Sequence, residues 1–113
     1  MHEMSLCESI LGVMEEYARQ QQFRKVKTVW LEIGALSTVE PEAMRFCFEA
    51  VMQGSLAENA RLEIIDVKGQ AWCMQCAQNV AIEHRYDACP NCGGFQLQVN
   101  AGEEMRIKEL EVE

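Results

Sequence analysis

Four of the six cysteines stand in two pairs, Cys73 with Cys76 and Cys89 with Cys92. Two residues lie within each pair and twelve between the pairs. No other feature restricts the fold as sharply. A C-x2-C knuckle lets two thiolates point at one centre, and two knuckles on facing hairpins close a tetrahedral four-sulfur site of the kind Zn(II) accepts. Pro90 stiffens the second knuckle, and Gly93 permits a left-handed turn that leaves backbone N–H groups facing the sulfurs. The surrounding "GQAWCMQCAQNVAIEHRYDACPNCGG" has strand-like pieces but too few apolar residues for a core. A module of about thirty residues needs metal or disulfides to hold it.

The choice between metal and disulfide rests on compartment. No apolar run approaches the roughly 18 residues of a membrane span, and "MHEMSLCE" lacks the basic region that opens a signal peptide. The expected location is the cytoplasm, away from membranes. There thiols stay reduced, so metal binding comes first. Iron in the same four sulfurs would make an electron carrier, and either pair alone would serve as a redox dithiol. A site with all four positions closed argues against catalysis, which needs an open one. The expectation is therefore a non-enzyme. The net charge of −8 speaks against nucleic acid, which requires clustered Lys and Arg, and suits a cation carrier or a basic partner.

Outside the cysteine segment the 113-residue chain reads as α+β. "SLCESILGVMEEYARQ" opens on a capping-box pattern, Ser5 with Glu8, and predicts a helix over about 5–22 with Leu6, Ile10, Val13, Met14 and Tyr17 as its apolar stripe. "KVKTVWLEIG" alternates as a strand ended by Gly34. A second helix follows, with Pro41 in its first turn, Gly54 just past its end, and Met44, Cys47, Phe48 and Val51 on one face. "RLEIIDVK" and "FQLQV" read as strands. In "MRIKELEVE", Met105 and Ile107 share one parity, and Leu110 and Val112 the other, which a bulge near Lys108–Glu109 would reconcile. This last strand is apolar enough to return to the first sheet. The expected organisation is a three-stranded sheet with two helices, 1–68 plus 100–113, and an inserted zinc ribbon over 69–99. Cys7 and Cys47 read as buried small hydrophobes. His84, between the knuckles, reads as exposed on a strand.

The chain start offers different chemistry. The amine of Met1, the backbone nitrogen of His2 and its imidazole can chelate one ion through adjoining five- and six-membered rings. The Glu3 backbone or another group would supply a fourth donor. A nitrogen-rich planar set selects Ni(II) or Cu(II).

Taken together, "MHEMSLCESI", "VWLEIGALSTVEPEAMRFCFE", "WCMQC…CPNCGG" and the closing "EVE" closely resemble, in the same order over the whole chain, the HypA/HybF family of hydrogenase maturation nickel metallochaperones, nearest its HybF branch. The resemblance implies Ni(II) carried as cargo at Met1, His2 and Glu3, and structural Zn(II) at Cys73, Cys76, Cys89 and Cys92. It implies delivery to the large subunit precursor of [NiFe]-hydrogenase with the help of a HypB-type GTPase. Some members have histidines flanking the knuckles, whereas here only His84 is near. A homodimer is left open. The rival reading is a zinc-ribbon adaptor with no nickel cargo; the acidic charge disfavours its nucleic-acid form.

Overall fold

The structure, a computed structural model, describes residues 2–113. Helix α1 (Glu3–Gln21) is followed by strand β1 (Val26–Gly34), helix α2 (Pro41–Met52) and strand β2 (Arg61–Val67). Strands β3 (Gly69–Cys73), β4 (Gln78–Ile82), β5 (Leu97–Ala101) and β6 (Met105–Val112) complete the chain. Two three-stranded sheets result, ordered β2-β1-β6 and β4-β3-β5. The last strand thus joins the first sheet, as its apolar content implies.

Helix α1 starts two residues earlier than the Ser5 capping box predicts. The Leu6 N–H donates to the His2 carbonyl at 3.0 Å, which makes His2 the N-cap, and no side chain caps the helix. Glu3 in the first turn is matched to the positive end of the helix dipole. Gln22, left-handed at φ 59, ends the helix. The buried stripe is Glu3, Cys7, Ile10 and Met14, whereas Val13 and Tyr17 are 43% and 45% exposed. The predicted stripe was rotated because Cys7, a small soft residue, faces α2. Its Sγ lies 3.8 Å from the Met44 carbonyl and 3.9 Å from the Met44 Sδ. Burial pushes the Cys7 thiol up to about 11, so it stays neutral. Cys47 is buried too.

Helix α2 follows its sequence signals closely. Pro41 sits in the first turn, where a missing N–H costs nothing, and Gly54 past the end has φ +77. Met44, Cys47, Phe48 and Met52 are its buried residues, Met52 taking the place expected of Val51, which is half-buried. Thr28, a buried hydroxyl on β1, donates to Glu111 Oε1 at 2.6 Å and is thereby satisfied. Along β6, Lys108 and Glu109 are both exposed between half-buried Ile107 and Leu110, so the burial parity changes there.

The chain forms two compact units. One comprises the chain through Leu31 with Val39–Ile64 and Ile107–Glu113; the other comprises Glu32–Thr38 and Ile65–Arg106. The second unit is built on β3, antiparallel to both β4 and β5, with Cys73 opposite Gln78 and Leu97. The strand expected over "FQLQV" begins at Leu97 instead, leaving Phe95 in the preceding loop, 73% exposed. The core of this unit gathers Leu36, Ala71, Val80 and Ile82 around Cys73 and Cys89. Leu36 is held there through its N–H, which donates to the Gly102 carbonyl at 2.8 Å. A side chain at Gly34 would put Cβ 2.0 Å from that carbonyl oxygen, so the close approach requires glycine.

Candidate metal centres

The two knuckles are built alike. Cys73 ends β3, and the Ala77 N–H donates back to the Cys73 carbonyl at 2.8 Å; in the second knuckle the Gly93 N–H donates to the Cys89 carbonyl at 2.8 Å. Both closing residues are left-handed, Ala77 at φ 54 and Gly93 at φ 75. The turn aims amides at the sulfurs: Cys76 N–H lies 3.4 Å from Cys73 Sγ, and Asn91 N–H lies 3.4 Å from Cys89 Sγ.

The four sulfurs of Cys73, Cys76, Cys89 and Cys92 lie within 4.8 Å of one another. Cys73 to Cys92 is 3.7 Å and Cys76 to Cys89 is 3.8 Å. A tetrahedron with metal–sulfur bonds of about 2.3 Å has sulfur–sulfur edges of about 3.8 Å, so the cluster matches four-coordination. The backbone amides of Cys92 and Asn91 draw the Cys89 thiol down to about 7. The proton shared with Cys92, then burial, holds Cys76 up at about 12. A central cation replaces those protons, so metal uptake releases them. His84 does not join this cluster. It lies in the bend after β4 rather than on a strand, its side chain 81% exposed and 3.8 Å from Asp87.

The sequence model of a family described as "Hydrogenase/urease nickel incorporation, metallochaperone, hypA" matches residues 1–112. The chain belongs to the HypA family. "Hydrogenase maturation factor HypA" of Rhodopseudomonas palustris (strain BisA53) is 63% identical over 113 residues, with 100% of both chains covered. Its counterpart in Azotobacter chroococcum mcd 1 is 61% identical, again over 100% of both. The solution structure of the Ni metallochaperone HypA from Helicobacter pylori is similar at a TM-score of 0.73 and 30% identity, covering 99% of this chain and 97% of that one. The family is one of nickel metallochaperones for hydrogenase maturation, the two helices and small three-stranded sheets match a solved HypA fold, and this chain's four-cysteine cluster can hold a metal. Among the described residues no helix is long and apolar enough to cross a membrane.

At the other candidate site, Met1 lies outside the described residues. His2 is exposed, and Glu3 is 5% exposed. The Glu40 N–H donates to Glu3 Oε2 at 3.2 Å, while Oε1 is buried with no hydrogen-bond partner among the described residues. The N–H groups of Glu40 and of Glu3 itself hold this carboxyl below the usual carboxylate range, so it is charged at neutral pH. Two residues here escaped the sequence reading. Glu40 caps α2, accepting the Glu42 N–H at 3.4 Å, and binds Glu3 through its own amide; its place before Pro41 was the available signal. Gln75, whose amide reaches Cys92, had no signal in the sequence at all.

Proposed function

We propose that this chain carries Ni(II) at its N-terminus and delivers it to the large subunit precursor of [NiFe]-hydrogenase, assisted by a HypB-type GTPase in the cytoplasm. Met1, His2 and Glu3 form the cargo site. Cys73, Cys76, Cys89 and Cys92 hold a structural Zn(II) that cross-links the two knuckles and stabilises the segment 69–99 as a module.

The observation that carries the nickel reading is the buried, charged carboxylate of Glu3, one residue from the exposed His2, with Oε1 lacking a hydrogen-bond partner among the described residues. An orphaned buried oxygen is costly unless something cationic completes it. A planar ion held by amine, amide and imidazole nitrogens places positive charge beside that carboxylate. The physical logic of a carrier follows. A terminal, open donor set holds the ion against loss yet lets a partner add a ligand and remove it stepwise, whereas four converging thiolates keep theirs.

The test is nickel titration of untagged, N-terminally extended and C-terminally tagged protein. Extension converts the Met1 amine to an amide, a far poorer donor, and should weaken nickel binding with zinc content unchanged. Equal affinity in all three forms removes the amine from the ligand set. Tight zinc with no nickel uptake in any form leaves the adaptor reading instead.

A further inference from the structure

Cys92 is the weak corner of the four-sulfur cluster. Cys73 and Cys89 are buried at 0% and 2%, Cys76 is intermediate, and Cys92 alone of the four is exposed. Cys73 and Cys89 each have a backbone amide of their own knuckle at 3.4 Å. The neighbour of the Cys92 sulfur is a side chain of the opposite knuckle, Gln75, with Oε1 at 3.4 Å.

Room for that contact is made by a glycine. A Cβ added at Gly94 would stand 2.1 Å from Gln75 Oε1, 3.1 Å from its Cδ and 3.4 Å from Cys92 Sγ. The backbone of Gly94 is not left-handed, so its own conformation would accept alanine. What occupies the missing side chain's place is the Gln75 amide.

We infer that Gln75 is a positioning residue for the metal at this cluster: its amide N–H donates to the Cys92 thiolate, shields the exposed corner and slows metal loss there. The inference rests on the zinc reading above. With the thiol protonated, Cys92 S–H donates to Gln75 Oε1. Once metal replaces the proton, the sulfur can only accept, and a half-turn of the terminal amide presents Nε2–H in the same position. The bond orients the ligand and covers its exposed side, as partners outside the ligand set do in other metal sites.

The experiment is the rate of zinc transfer from the full-length protein to a colorimetric chelator, with zinc content measured at the start. Gln75→Ala should load one zinc and release it about tenfold faster. Gln75→Glu, similar in shape but with a carboxylate facing a thiolate, should release it faster still. Gly94→Ala, with Gln75 intact but displaced, should reproduce the alanine effect. The double variant Gln75→Ala/Gly94→Ala should release zinc no faster than Gln75→Ala alone. Unchanged release in Gln75→Ala, or rate effects that multiply in the double variant, would overturn the inference. A wild-type protein that binds no zinc would overturn the zinc reading itself, a different result.

Discussion

The sulfur cluster and the chain start solve opposite problems. At the cluster, two near-identical turns bring four like donors within 4.8 Å, with Cys73 and Cys89 inside a hydrophobic core. At the start, the proposed donors are unlike: the exposed His2 next to a buried carboxylate on Glu3 that reaches a different helix. The first arrangement is preorganised and closed, so a bound ion becomes part of the fold. The second is fixed on one side only. The first is built from core residues, and the second at the edge of a core.

The strongest way to break this contrast is to open the cluster. Cys89→Ala should abolish zinc binding. Metal in small zinc modules contributes on the order of 10 kcal/mol, so β3–β5 should become protease-sensitive while α1, α2 and the β2-β1-β6 sheet persist. Global unfolding by circular dichroism would show that the metal supports the whole chain. The next largest effect belongs to the terminus. His2→Ala should lower nickel affinity by about 100-fold or more, beyond the loss of an outer partner, with zinc unchanged. Wild-type nickel affinity should itself fall from pH 8 to 6, because nitrogen ligands must shed their protons to bind the ion. Titration calorimetry across that range checks both, and a flat profile places the nickel elsewhere.

Glu3→Gln gives a smaller effect that separates cargo from fold. The carboxyl's folded pKa lies below its unfolded value, so its contribution is complete above the unfolded value of about 4.3 and is lost as pH falls through the folded one. The stability gap between nickel-free wild type and Glu3→Gln should therefore be full at pH 6 and narrow below about pH 4, as read by urea denaturation at each pH. A gap independent of pH would mean that the charge is irrelevant to the fold. The smallest effect compares the two knuckles directly. Ala77 holds at φ 54 the position that Gly93 holds at φ 75. Ala77→Gly should stabilise the zinc-loaded protein by up to about 1 kcal/mol, the order of the left-handed penalty for a residue with a Cβ. A fall in melting temperature would show that the alanine methyl contributes packing.

Much of this was legible in advance because it is local. The C-x2-C spacing dictates a turn, and the turn dictates where two sulfurs point. Pro41 and Gly54 bracket α2 for reasons contained in their own backbones. Where local rules failed, a distant residue had intervened. The Ser5 capping box lost to a start at Glu3, whose carboxylate is bound by an amide thirty-seven residues on. The stripe of α1 turned toward Cys7 because Met44 lies opposite.

By itself, then, the sequence determined the two turns that bring the four sulfurs together and the order of helices and strands, since each depends on spacing within a few residues. Only the tertiary structure decided that Leu36 joins the core around Cys73 and Cys89, that Glu3 is buried with one oxygen that has no partner among the described residues, and that Gln75 fills the space left by Gly94. These are meetings of groups far apart along the chain. No periodicity or motif records them, because the free energy that selects them comes from burying both partners at once.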